Sequence, residues 1–306
     1  MMFFKNVKLA LRSLLKNKTV SILNLTGLTI GVTVSLLILM FVMKERSTDK
    51  FIPQVENVFC LTNNSSTYLS QYMVNLVKEE VPEVDKVTYC TVDWSSQVFL
   101  EKENQSFKVE KMLTADSCFF RVFQFEPVWG VPGEALNTTN KVVITRSLAE
   151  KIFGKENPVG KTVTYNATYL QNEELEVSAV IEDFPQNSSW DFDAVLSFQT
   201  NYKLDWYVDN MQDWGTQNYK AFVRVNNNAS AEYVNNKLEN ISLDKVPDDF
   251  KKEIDFSLFP FSQVYFYLHE LALLKHGDPL TLSIIGIVGL LILLLACVNY
   301  INMVTA

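Results

Sequence analysis

The chain has 306 residues, is 48% hydrophobic and carries a formal net charge of −8, with 35 acidic residues against 27 Lys and Arg. Its length allows about two ordinary domains, and the acidic balance excludes a nucleic-acid partner, whose phosphates require a surplus of Lys and Arg. The charge is partitioned, because residues 1–43 and 280–306 hold no Asp or Glu, while 44–279 holds every acidic residue and 22 of the basic ones.

The opening FFKNVKLALRSLLKNK places Phe4, Val7, Leu11, Leu14 and Leu15 at helical spacing, with Lys5, Lys8, Arg12 and Lys16 on another face. Residues 1–19 therefore read as an amphipathic helix in the cytoplasmic-side interface, its basic face against anionic membrane lipids. Val20 to Met43 then runs for 24 residues without a charge. At 1.5 Å per residue this crosses a hydrocarbon core of about 30 Å, so 20–43 is a transmembrane helix. It is too long for the apolar part of a signal peptide, and no A-x-A site follows. Within it, GLTIG sets Gly27 and Gly31 four apart, the small-residue spacing that lets helices approach closely. Five basic residues precede this span and three (Lys44, Arg46 and Lys50) follow it. The bias places the N-terminus inside and 44–279 outside.

The outer region reads as mixed α and β. A strand at Val58–Leu61, a helix at Tyr68–Glu80 ended by Val81-Pro82, and a strand at Val87–Val92 form one β-α-β unit. The pattern returns as YKAFVRV (Tyr219–Val225), a helix at Ser230–Ile241 and IDFSLF (Ile254–Phe259). Two such units around an insertion predict a split ferredoxin-like lobe, at about 55–113 and 211–262. The insertion, about 114–210, is expected to be a second lobe with strands at Val142–Thr145, Lys161–Asn166 and Leu175–Phe184. The fold class is thus an α+β domain between two membrane helices. The second span, 280–303, contains 19 uncharged residues from Leu280 to Val298, and residues 304–306 are a short cytoplasmic end.

Catalytic patterns are weak. FGKENPVGKT (Phe153–Thr162) has five residues between Gly154 and Gly160 where a phosphate-binding loop has four, and a helix precedes it where a strand is required. The better reading ends a helix at Gly154 and turns the chain at Pro158, Val159 and Gly160. His269 and His276, seven apart, fit one helix face but lack a third metal ligand. Glu182, Asp183, Asp191 and Asp193 lack the spacing of a calcium loop. Cys60, Cys90 and Cys118 cannot all pair, although one disulfide among them remains open. Trp94, Trp129, Trp190, Trp206 and Trp214 serve either core packing or a binding surface. No nucleophile motif occurs. An enzyme is not expected, nor is a cofactor or a metal.

Several segments together carry a resemblance. VVITRSLAEKIFGKENPVGKTV followed by SAVIEDFPQNSSWDFDAVLSF, set between GLTIG and ACVNYINMVTA, resembles the periplasmic core of MacB/FtsX-type ABC-transporter permeases over nearly the whole chain. The most specific positions are Phe153, Gly154, Pro158, Gly160, Lys161, Asp183, Phe184, Pro185, Phe192 and Asp193. The resemblance implies a porter lobe with an inserted Sabre-like lobe, in a multi-pass protein of the bacterial inner membrane. It also implies mechanotransmission. A separate cytoplasmic ATPase would drive the periplasmic domain through a stiff helix from about Phe261 to Ala306, with Asn299 and Asn302 at its cytoplasmic exit. Such permeases have at least four spans, so this chain is expected to be the N-terminal half, working with a second permease copy or half. Export or extraction of peptides, lipids or lipoproteins follows as the expected task. The alternatives are a signalling module that regulates an envelope protein and a stand-alone membrane-anchored binding domain.

Overall fold

In the computed structural model the described residues are 18–93, 95, 97–226 and 230–305. Lys5, Lys8, Arg12 and Lys16 lie outside them, as do Trp94 and the side chain of Asn302. The chain divides into two units, one built from long helices and one spanning Thr48–His276. The first helix, α1, covers Lys18–Arg46, and the last helix of the chain covers Pro279–Thr305. Both are long and apolar enough to cross a membrane.

Residues 48–276 are built on one mixed sheet. β1 (Val58–Asn63), α2 (Gln71–Glu80) and β2 (Val84–Val92) form the first β-α-β unit. The hairpin β3 (Val98–Lys102) and β4 (Gln105–Val109) follows, then β5 (Met112–Ala115), α3 (Phe119–Phe123) and β6 (Pro127–Gly130). Next come β7 (Lys141–Thr145), α4 (Arg146–Phe153), β8 (Thr162–Asn166), β9 (Glu173–Ile181), β10 (Ala194–Ser197) and α5 (Asp205–Met211). The chain returns through β11 (Lys220–Val225), α6 (Ala231–Glu239), the short α7 (Asp248–Lys251) and β12 (Phe256–Pro260), then α8 (Phe261–Tyr267) and α9 (Pro279–Thr305).

The strand order is β12-β1-β11-β2-β5-β10-β7-β9-β8-β3-β4, with β6 paired to β9. The first four strands pair antiparallel throughout, which is the arrangement two split β-α-β units produce. Ser70 and Ser230 start the two helices of those units, accepting the N–H groups of Met73 (3.3 Å) and Tyr233 (3.1 Å) on their hydroxyls. Beyond β2 the sheet continues through β5 and the parallel β10 into the strands of the insertion. The β3–β4 hairpin is recruited there too, with Phe99 opposite Asn166 of β8. Its two-residue loop, Glu103 and Asn104, has φ of 50° and 65°. That is the turn conformation hairpins favour, but without the glycine that usually announces it.

Alternation along each strand divides the interior into separate cores. Leu61, Met73, Val77, Ala221, Val223, Val234 and Phe256 pack under α2 and α6. Val142, Ile144, Leu148, Phe153, Val177 and Leu196 pack under α4. A third core, on the opposite sheet face, gathers Phe119, Phe123, Trp190, Phe222 and Phe261. Cys60, Cys90, Cys118 and Cys297 are all free thiols.

One expectation is corrected. The helix from Phe261 to Ala306 is not continuous, because α8 stops at Tyr267 and α9 starts at Pro279. Proline at the first helical position and an aspartate before it form a helix start. Asp278 accepts the N–H groups of Leu280 (2.9 Å) and Thr281 (3.2 Å). His269 and His276 accordingly sit in a non-helical segment, their ring centroids 5.1 Å apart.

Candidate functional site

The segment that follows α1 and the segment that precedes α9 meet on one loop. Asp49 donates its N–H to the Asn187 carbonyl at 2.9 Å, and its Oδ1 accepts the Ser189 N–H at 2.8 Å. From the other side, the Lys275 N–H donates to the Ser189 carbonyl at 2.8 Å. Ser189, fully buried, is therefore held on both backbone groups, one by each flank of the domain. Lys275 Nζ also reaches Asp191 at 3.5 Å, and Asp191 pairs with Lys111 at 2.5 Å.

This loop, QNSSWDFD, belongs to the stretch that carried the family resemblance. Trp190 is fully buried and packs its ring against Phe119, Phe123, Phe222 and Phe261, with centroids 5.3, 4.8, 5.7 and 6.2 Å away. Such rings resist displacement because each buries a large apolar area and the pairs add favourable edge-to-face contacts. Trp190, the next residue in the chain, thus ties Ser189 to the aromatic core. Ser188 Oγ, Trp190 Nε1 and His276 Nδ1 are buried without a hydrogen-bond partner.

Burial also raises the Asp49 carboxyl to about 6, against the opposing effect of its Ser189 hydrogen bonds. Asp49 is 1% exposed and has φ of 63°, a left-handed conformation that Asp and Asn tolerate better than most side chains. Asp116, which accepts from Thr88 Oγ1, is likewise raised to about 6 by burial.

Two buried cations on β11 brace the same flanks. Arg224 donates Nε to the Val122 carbonyl at 2.9 Å and Nη2 to the Pro53 carbonyl at 3.1 Å, tying the segment after α1 to α3. Lys220 Nζ donates to Thr67 Oγ1 at 2.7 Å, while Glu270 accepts the Thr67 N–H at 2.8 Å, holding the segment before α9. Burial lowers the Lys220 pKa to about 8, with Glu270 opposing the shift. Lys220, Phe222 and Arg224 share one face of YKAFVRV, so period-2 reading of that strand would have revealed two inward-facing cations.

The remaining motif residues shape the inserted strands. Asp183 accepts the N–H of Ser147 (3.0 Å) and its hydroxyl (2.7 Å), capping α4 from a distant segment because Thr145 provides no side-chain cap. Phe153 ends α4 in the core, and Gly154 leaves the helix at φ 68°. Pro158 is buried, and its carbonyl accepts the Lys161 N–H at 2.9 Å. Gly160, at φ 83°, donates its N–H to Val177 at 2.9 Å. Lys161 pairs with Glu156 and stands over the Phe153 ring. Asp193 Oδ2 accepts the N–H groups of Glu110 (2.9 Å) and Lys111 (3.1 Å). Phe184 packs on Phe192, with centroids 4.7 Å apart, while Pro185 is exposed and its carbonyl accepts the Ser188 N–H at 3.1 Å. These roles are structural. Among the described residues no group of three His, Cys, Asp or Glu could hold a metal ion.

In the helical unit, a Cβ placed on Gly31 would stand 2.8 Å from Ala296 Cβ, and one on Gly289 would stand 2.6 Å from Ile38 Cγ2. One on Gly27 would stand 3.2 Å from Asn299 Nδ2. Asn299 Nδ2 donates to the Asn24 carbonyl at 3.0 Å, and Ser35 Oγ reaches the Gly289 carbonyl at 3.1 Å. Ser35 and Ala296, absent from the sequence reading, are recognisable only once α9 supplies their partners.

A family profile described as the MacB-like periplasmic core domain matches residues 21–241. Among solved structures, the chain is similar to a domain of a protein assigned as a permease from Porphyromonas gingivalis. The identity is 24% and the TM-score 0.57, covering 72% of this chain and 98% of that one. The periplasmic region of MacB from Actinobacillus actinomycetemcomitans shares 18% identity with a TM-score of 0.48, covering 70% and 92%. The extracellular domain of the noncanonic ABC-type transporter YknZ from Gram-positive bacteria shares 16% identity with a TM-score of 0.45, covering 66% and 100%. A search of curated proteins finds no match.

Proposed function

The chain belongs to the family of the MacB-like periplasmic core domain, and on that premise we propose that it works as a permease subunit of a MacB/FtsX-type ABC transporter. α1 and α9 cross the bacterial inner membrane, the N-terminus is cytoplasmic and residues 48–276 stand in the periplasm. A separate cytoplasmic ATPase supplies the energy, and a second permease copy or half completes the assembly. The helices transmit its conformational change to the outer domain, which exports or extracts a peptide, lipid or lipoprotein. No charged side chain occurs in Val20–Met43 or Leu280–Ile301, which favours transmission over a substrate path through these helices.

The observation that carries the reading is the Ser189 junction. Both flanks of the domain bind one buried residue, so movement of either flank reaches Trp190 and the core through the hydrogen bonds on the Ser189 backbone. The test uses full-length protein, tagged and extracted in mild detergent, which is expected to bring an ATP-hydrolysing subunit with it. Asp49→Gly keeps the left-handed backbone but removes the acceptor for the Ser189 N–H. It should leave that subunit bound while lowering permease-stimulated hydrolysis about tenfold, the equivalent of one charge-assisted hydrogen bond. A preparation with no more ATPase activity than untagged membranes overturns the reading.

A further inference from the structure

The segment that follows α8 has a sequence that its conformation does not express. Residues 268–276 read LHELALLKH, made almost wholly of strong helix formers. Val264, Leu268, Leu271 and Leu274 recur at helical spacing and continue the buried stripe of α8. Lys275 and His276, with Gly277 after them, supply a helix stop of the usual kind. Yet α8 ends at Tyr267, and beyond it only isolated turns form. The Leu271 N–H reaches the Leu268 carbonyl at 3.3 Å, and the Leu274 N–H reaches the Leu271 carbonyl at 2.9 Å. The N–H groups of Leu273 and His276 have no backbone acceptor among the described residues.

Two distant fastenings stand in place of the helix. The Glu270 carboxylate accepts the Thr67 N–H at 2.8 Å, while Lys220 Nζ donates to the Thr67 hydroxyl at 2.7 Å. Lys275 donates its N–H to the Ser189 carbonyl at 2.8 Å. A helix through Lys275 needs that same N–H for the Leu271 carbonyl, four residues back. The helix and the Ser189 junction therefore exclude each other. Leu271 and Leu274 are buried in the aromatic core, but Ala272 and Leu273 border an open cavity of about 300 Å³ whose lining includes Val98, Val109 and Met112. Well-packed interiors leave few such voids, and this one gives the segment space to rewind.

We propose that residues 268–275 are a coil-to-helix switch: unfastened at Glu270, they wind into about two further turns of α8 and take Lys275 off Ser189. The switch operates without an ATPase, so its failure leaves the permease reading standing. It is tested on the full chain in detergent micelles, without nucleotide, by amide hydrogen exchange read at single residues. Glu270→Ala removes the acceptor of the Thr67 N–H and puts a strong helix former in its place. The Leu273 and His276 amides should then exchange about tenfold more slowly than in the parent, in line with the loss of one charge-assisted hydrogen bond from the fastened form. Ala272→Gly, added to that variant, lowers the helical population about fivefold and should restore most of the lost exchange. A carboxylate that only steadied a loop gives the opposite sign, because a loosened coil exchanges faster. Faster or unchanged exchange in Glu270→Ala, or slowing that survives Ala272→Gly, overturns the proposal. The β11 amides serve as the fold control and should keep the parent's rates. Where they do not, Glu270→Gln, which loses the charge but keeps an acceptor, must show the same sign at smaller amplitude.

Discussion

Asp49 and Asp116 give the domain a characteristic response to pH. Burial raises both carboxyls to about 6, so the folded protein holds these protons to a higher pH than the unfolded chain does. Their effect on stability is therefore neutral below the ordinary carboxylate range of about 4 and becomes unfavourable as pH rises through about 6. At neutral pH each costs about 3 kcal/mol by the same linkage. Asp49→Asn keeps an acceptor for the Ser189 N–H and tolerates the left-handed backbone, but it has no proton to lose. We expect this variant to melt several degrees higher than the parent at pH 7 and equally at pH 4, leaving Asp116 to supply the remaining slope. Equal melting points at both pH values would remove the charge cost assigned to Asp49.

At the scale of elements, the contact between α1 and α9 is set by small residues. Lipid tails are as apolar as Leu, so hydrophobicity alone does not hold two such helices together, whereas close backbone approach does. Gly31 leaves no room for even a methyl group beside Ala296. Gly31→Ala should weaken the pair by about 1–3 kcal/mol, the usual cost of overpacking, and Ala296→Gly in the same protein should restore most of it. Melting of the detergent-solubilised protein reads both changes. Failure of the second substitution to rescue the first would show that Gly31 acts other than by clearance. The break between α8 and α9 belongs to this scale too. Asp278-Pro279 is a helix start that the unbroken apolar pattern after it overshadowed.

At the scale of the molecule, residues 48–276 form a compact unit with a continuous sheet and its own cores. Expressed without the long helices, this segment is expected to be soluble and to unfold in one cooperative thermal transition, because one continuous sheet joins its cores. Two separated transitions would show that the β2–β5 and β5–β10 pairings do not couple the parts of the sheet. Joining Asp49 and Lys275 through Ser189 also means that loosening either flank should lower this single transition rather than create a second one.

Charge partition and run length by themselves determined two apolar helices around an acidic domain, because crossing a hydrocarbon core demands a minimum uncharged length whatever surrounds it. Strand-forming runs such as VTYCTV and YKAFVRV, with the helical stretches beside them, located both β-α-β units, since those signals lie within a few residues of one another. The strand order, the recruitment of the β3–β4 hairpin to β8 and the Asp183 cap on α4 were decided only by tertiary structure. So were the meeting of Asp49 and Lys275 on Ser189 and the non-helical course of residues 268–276. Each depends on groups distant in sequence satisfying one another's hydrogen bonds or filling one another's space. Local pattern carries no record of which distant partner will do so.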